Sequence, residues 1–280
     1  MALVYIDDLL VYARNFEELL ERLDLVLTRC REHGLTFKPS KCSFGLKKLK
    51  FLGHVVSGDC YEMDPDKVSK ALKFSQPKTP HDLLSFLGLC NYYRKDIYNF
   101  AQIAAPLYAQ VNEKVITWNE GMDEAFAVLK FALCSAPVLQ YPDPEALIKI
   151  TTDASGYGIA ACCEQSKSKE GPWHPIVFCS RSLKKHERQY SATHRECLGV
   201  VFALRQFRQY FYGRRAAVVT YHMSLTHLMQ LKDPYNQLAR WALEIASYQV
   251  DIVHAKGTSI PHVDALSRNP GFRKEEEGLA

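Results

Sequence analysis

"ALIKITTDASGYGIAACCEQ", residues 146–165, decides the fold class of this chain. Two apolar, β-prone arms flank a Ser155-Gly156 turn, which reads as a pair of strands. "HPIVFCSRSL" (174–183) adds a third strand. A long helix over 191–211 follows, then the strand "AAVVTYH" (216–222), helical stretches, the strand "YQVDIVHA" (248–255) and a short helix, "HVDALSR" (262–268). Three consecutive strands, a helix and then alternating elements predict an α+β or α/β layer built on a mixed five-stranded sheet.

Upstream the pattern changes. Pro137, Pro142 and Pro144 punctuate "SAPVLQYPDPEA" (135–146) and mark a domain boundary. Helices are predicted over 121–134, 79–95 and 64–75. In the second, Thr79 caps, Pro80 starts the first turn and Asp82 completes a capping box. "KLKFLGHVVS" (48–57) has strand character with a bend at Gly53. "NFEELLERLDLVLTRCREHG" (15–34) is a helix capped by Asn15, with Glu18 in a capping box and Gly34 as its stop. Phe16, Leu19, Leu20, Leu23, Val26, Leu27 and Cys30 mark the face expected to pack on a sheet. "LVYIDDLLVY" (3–12) reads as a β-hairpin with Asp7 and Asp8 at its apex. Adjacent carboxylates in an apolar run need cations, hydrogen bonds or solvent.

The bulk numbers describe an ordinary globular protein of 280 residues, 47% hydrophobic and 24% charged. A net charge of +4 and a pI of about 8.5 are compatible with a nucleic-acid partner without arguing for one. Nine cysteines with no CxxC pair disfavour a disulfide framework or a thiolate zinc site and fit a reducing compartment. No apolar run approaches the roughly 18 to 20 residues that span a bilayer, and the acidic N-terminal stretch is unlike a signal peptide. An intracellular protein without membrane partners is expected.

Several stretches, in order, resemble the Pol polyprotein of gypsy-class LTR retrotransposons. They are "YIDD" (5–8), "GLTFKPSKCSF" (34–44), "LKFLGHVVS" (49–57), "SFLGLCNYYRKDI" (85–97), "FAQIAAPL" (100–107), "AFAVLKFALCSAPVL" (125–139), "TTDASGYGIAA" (151–161) and "VDALSR" (263–268). The four-letter "YIDD" is weak alone; the ordered series is specific. The resemblance implies the late part of a reverse-transcriptase palm over 1–75, a helical thumb over 76–142, a ribonuclease H-like domain over 143–268 and a disordered tail over 269–280. It also implies RNA-directed DNA synthesis and cleavage of RNA–DNA hybrids, in the cytoplasm, a virus-like particle or the nucleus. The partners implied are hybrid or duplex nucleic acid and the rest of Pol or another reverse-transcriptase subunit.

What the resemblance implies for single residues is as follows. Asp7 is a direct ligand of the polymerase magnesium ions and Asp8 its neighbour. The family's other palm aspartate lies on an earlier strand, so this pair is half of a metal site. A solvated turn is the plainer reading of the residues alone. In the thumb helix, Arg94 and Lys95 are placed to meet phosphates, and Arg208 in "RQFRQYFYGRR" (205–215) is a weaker candidate. A solvated helix face is the plainer alternative.

For ribonuclease H, the resemblance assigns Asp153, Glu196 and Asp264 to a carboxylate cluster that holds two Mg2+ or Mn2+ ions. The third of its four carboxylates belongs in "VVTYHMSL" (218–225), where the family reads T-D-H and this chain has Tyr221. A phenol, neutral at pH 7, does not replace a hard carboxylate on magnesium. Weak binding of one ion and a rate loss of about 100- to 1,000-fold or more are expected. The competing readings are a catalytically dead nucleic-acid binder and a structural relic. His194 and His222 read as surface or packing residues, and Cys162 and Cys163 as one core and one outward residue.

Overall fold

The computed structural model describes residues 2–135, 137–223, 225 and 237–255. The chain divides into two compact units, one ending at Asp64 and the other starting at Pro65.

In the first unit, β1 (Ala2–Tyr5) and β2 (Asp8–Val11) form an antiparallel hairpin in which Tyr5 pairs with Asp8. The two-residue turn is therefore Ile6-Asp7, and only Asp7 of the two acids sits at the apex. Ile6 takes a positive φ of 51°, because primed hairpin turns demand the left-handed region from their first central residue. A β-branched side chain resists that region, so the tip stores strain. Helix α1 (Phe16–Glu32) starts on Asn15, whose side chain accepts from the Glu18 amide. Its half-buried stripe is Leu19, Leu23, Val26 and Cys30, narrower than the predicted face. Phe16, Leu20 and Leu27 are exposed. Strands β3 (Lys48–Phe51), β4 (His54–Ser57) and β5 (Cys60–Met63) form an antiparallel meander. Its first turn is Leu52-Gly53, both at positive φ, which is why the bend falls at Gly53.

The second unit begins with α2 (Pro65–Leu72) and α3 (Pro80–Tyr92). The predicted capping box at the start of α3 forms: Thr79 accepts from the Asp82 amide and the Asp82 carboxylate accepts from the Thr79 amide. Two short helices, α4 (Phe100–Ile103) and α5 (Ala105–Tyr108), had no periodic signal in the sequence. Helix α6 (Glu120–Ser135) and the short strand β6 (Leu139–Gln140) lead into the sheet.

That sheet holds β7 (Leu147–Ala154), β8 (Gly158–Ser166), β9 (His174–Ser182), β10 (Ala216–Thr220) and β11 (Val250–His254), in the order β11-β10-β7-β8-β9. β7, β8 and β9 are antiparallel, while β10 runs parallel to both β7 and β11. On one face Ile148, Ile150, Ala161, Cys163 and Val218 pack against α7 (Ala192–Phe211), with Trp241 and Ile245 of α8 (Gln237–Ala246) completing the core. Burying a residue such as Ile150 or Leu204 contributes about 1.5–3 kcal/mol each.

The opposite face carries Thr151 and Asp153, Cys162 and Ala160, and Phe178 and Ser180, which pair across the strands. A connector between α3 and α4 docks along the free edge of β9 and onto this face. The Phe178 amide donates to the Lys95 carbonyl (2.9 Å), the Arg94 guanidinium donates to the Ser180 carbonyl (2.8 Å), and the Ala101 amide donates to the Ser180 hydroxyl (3.0 Å). An unpaired strand edge invites misassociation, and these bonds satisfy it. Tyr98 packs edge-on against Phe178, with ring centroids 5.9 Å apart. Both cysteines of the Cys162-Cys163 pair are consequently buried, not one inward and one outward.

Arg94 thus points into the protein, where it also lies over the Phe100 ring at 5.7 Å. Lys95 next to it is exposed. Arg94→Ala should lower the unfolding free energy by about 1–3 kcal/mol, since it strands an edge carbonyl. Lys95→Ala should stay within about 0.5 kcal/mol of wild type. Urea unfolding of the two variants checks the contrast.

Candidate functional site

Asp153 occupies the last turn of strand pairing in β7, opposite Ala160 of β8. Beyond it the chain reverses through a tight turn organised by Ser155, whose hydroxyl accepts from the Tyr157 and Gly158 amides (3.1 Å each). Gly158 has to be glycine: a Cβ there would lie 2.7 Å from Gln102 Cγ and 3.1 Å from the Arg181 carbonyl. The turn is therefore pressed against α4, and Asp153 is held at the end of the sheet nearest the connector.

Glu196 arrives from the first turns of α7, whose N-terminus is fixed by Ser191 accepting from the His194 amide. Gly199, one turn on, stands over Ala154 and the Asp153 carbonyl, where even a Cβ would make only ordinary contacts at 3.9 Å. Glu196 Oε2 is buried and has no hydrogen-bond partner among the described residues. Burial, and next the charge of Asp153, push its carboxyl up to about 7. The pair therefore shares one poorly solvated pocket.

Tyr221 stands just past the end of β10. Val219 pairs with Thr151 in the parallel register, so Tyr221 follows at the level of Asp153 on the neighbouring chain. Burial pushes its phenol up to about 12, with the charges of Asp153 and Glu164 adding to the rise. It is a neutral group at pH 7, close enough to Asp153 to feel its charge, at the position where the resemblance expects a carboxylate. Asp264 lies outside the described residues. Among those described, no three His, Cys, Asp or Glu side chains are grouped to hold a metal ion.

The remaining candidates differ in their surroundings. Asp7 and Asp8 are exposed at the β1–β2 hairpin. Arg208 is exposed on α7 and lies over the Tyr212 ring at 4.4 Å. His194 packs in an aromatic group with Tyr190 and Trp241, as a packing histidine. Sequence reading missed Tyr98. It is a buried residue of the connector whose hydroxyl is raised well above the ordinary range, first by burial and then by the charge of Asp153. Nothing local in "RKDIYNFAQ" (94–102) distinguishes it from a core aromatic.

Comparison with known proteins gives the family and the fold. Residues 1–56 match the family described as reverse transcriptase (RNA-dependent DNA polymerase), and residues 118–218 match the RNase H-like domain found in reverse transcriptase. The chain is 37% identical over 268 residues to the retrovirus-related Pol polyprotein from transposon 297 of Drosophila melanogaster, covering 95% of this chain and 25% of that protein. It is 32% identical over 279 residues to the corresponding polyprotein from transposon gypsy of the same organism, covering 95% and 26%. The chain thus spans about a quarter of the length of these curated relatives. Its fold is similar to solved structures of the foamy viral protease-reverse transcriptase. One, with ds DNA, gives a TM-score of 0.77 at 20% identity, covering 92% of this chain and 46% of that one. Another, with an RNA/DNA hybrid, gives 0.76 at 21% identity, covering 92% and 36%. The chain belongs to the Pol polyproteins of gypsy-class LTR retrotransposons, within which it corresponds to part of the reverse-transcriptase and ribonuclease H region.

Proposed function

We propose that this chain handles an RNA–DNA hybrid or other duplex nucleic acid and carries an impaired hybrid nuclease site formed by Asp153, Glu196 and Asp264, with Tyr221 where a fourth carboxylate is expected. The observation that carries the reading is the shared pocket of Asp153 and Glu196 beside Tyr221. The solved foamy viral complexes with ds DNA and with an RNA/DNA hybrid support duplex nucleic acid as the partner. Asp7, with Asp8 beside it, is proposed as the polymerase-lineage ligand, and Lys95 and Arg208 as exposed phosphate contacts; Arg94, half-buried and bonded to the Ser180 carbonyl, is a weaker candidate for that role.

Two carboxylates repelling one another in a poorly solvated pocket fit a cation-binding role, because only a positive charge relieves both the repulsion and the orphaned Glu196 oxygen. A divalent ion bound there supplies Lewis acidity and a water activated for attack on phosphorus. Asp153 and Glu196 would supply its oxygen ligands. Tyr221 contributes no charge, so the residues present would offer less negative charge than two Mg2+ or Mn2+ ions call for, and a second ion would be held weakly.

The test is cleavage of a labelled RNA–DNA hybrid by the full chain in Mg2+ or Mn2+. Tyr221→Asp should raise the rate by about 100-fold or more, and Asp153→Asn in that background should abolish it. Robust wild-type cleavage that Tyr221→Asp leaves unchanged would contradict the role given to Tyr221.

The raised Glu196 carboxyl also has a pH signature. The folded chain keeps this proton up to about 7, whereas the unfolded chain releases it near 4.5. Its contribution to stability is therefore lost as pH rises from 4.5 through 7. Glu196→Gln should stabilise the cation-free protein by about 1–3 kcal/mol at pH 8 and by nothing measurable below pH 4.5. Thermal unfolding in chelator at the two pH values reads the difference.

A further inference from the structure

Five buried side-chain polar atoms lack a hydrogen-bond partner among the described residues: Tyr98 Oη, Asn99 Oδ1, Gln102 Nε2, Arg195 Nε and Glu196 Oε2. They come from only two short segments, the connector at 98–102 and the start of α7 at 195–196. Leaving a buried donor or acceptor unpaired is costly, so such groups point to a ligand or to a role.

Tyr98 is the most informative of them. Its side chain is 7% exposed, and its ring is fixed against Phe178 on the face of the sheet that carries Asp153. The connector that bears it is bonded to β9 on both sides of the tyrosine, through Arg94 and Lys95 before it and Ala101 after it. Its hydroxyl therefore has little freedom to seek a partner elsewhere. After burial, Asp153 acts most on that hydroxyl, followed by Cys162, Tyr221 and Glu196, so it lies near the candidate site. Tyr98 reaches the pocket from the helical region before the sheet, so it is foreign to the nuclease elements themselves.

We propose that Tyr98 is a positioning residue of the nuclease site, its hydroxyl hydrogen-bonding a water carried by a divalent cation that Asp153 and Glu196 hold. This rests on the cation-binding reading above and extends it to a residue outside the strands and helix that supply the carboxylates. In this arrangement the phenol oxygen accepts from the strongly polarised water, and the phenol proton is free to be donated to a carboxylate oxygen. Partners behind the direct ligands orient bound water in this way, and losing one typically weakens metal binding by about 10- to 100-fold. The same bond ties cation affinity to correct docking of the connector.

Mn2+ binding to the full chain, followed by the electron paramagnetic resonance signal of the free ion, tests the inference. Wild type, Tyr98→Phe and Asp153→Asn are compared, with thermal unfolding of each in chelator. Asp153→Asn should abolish saturable binding, and Tyr98→Phe should weaken it by about tenfold. Cation-free Tyr98→Phe should melt no lower than wild type, because the ring packing is kept and an unpaired buried hydroxyl is removed. Mn2+ binding by Tyr98→Phe at wild-type affinity, or tighter, overturns the inference while leaving the Asp153–Glu196 site standing. So does a cation-free melting loss in Tyr98→Phe, which marks a packing role. If neither wild type nor Tyr221→Asp binds Mn2+ in an Asp153-dependent way, the cation-binding reading itself fails, and this inference with it.

Discussion

Asp153 and Glu196 are brought together in a pocket where neither is well solvated, and their mutual repulsion is the constraint on which the functional account depends. The fold brings the two together mechanically: α7 packs over β7, and the Ser155 turn ends the strand just beyond Asp153. Two like charges in a low-dielectric setting raise the proton affinity of one of them. They also create affinity for a cation, which is the same electrostatic fact expressed with a different positive partner. Arg195 lowers the Glu196 carboxyl, but with less effect than burial and Asp153, which raise it.

Tyr221 changes this balance without disturbing the frame. It follows β10, whose parallel register with β7 sets the level at which it meets Asp153. The sheet forms whatever stands at 221, because its stability comes from the opposite face, where Ile148, Ile150 and Val218 meet α7. Loss of a carboxylate is thus separable from loss of the fold. The connector is the second structural device. It seals the edge of β9, covers the face that carries Cys162 and delivers Tyr98, so the segment before the sheet is physically part of the surroundings of Asp153.

The elements with strong periodicity or turn chemistry were legible in the sequence. The β7–β8 hairpin, α7 and the capping box at Thr79 and Asp82 all form where residue patterns place them, because local and tertiary preferences agree there. Where tertiary context decides, reading the sequence failed. Arg94 and Lys95 are indistinguishable as basic residues at a helix end, yet one turns inward to a strand carbonyl and the other outward. One of Cys162 and Cys163 was expected to face out, and both are buried, Cys162 on the sheet face onto which a segment some sixty residues earlier docks. Ile6 enters a left-handed turn that its branched side chain disfavours, which shifts the apex of the hairpin away from Asp8. Asp153, Glu196 and Tyr221 were singled out by resemblance alone, since a single acid at a strand or helix end carries no periodic signal.

Carbon-13 NMR titration of the Glu196 carboxyl in the cation-free full chain addresses the shared pocket most directly. The account predicts a midpoint near 7, moving down when Asp153 is replaced by asparagine. A midpoint at the ordinary 4.5, unmoved by that replacement, would mean that the two carboxylates do not share a pocket and would contradict it.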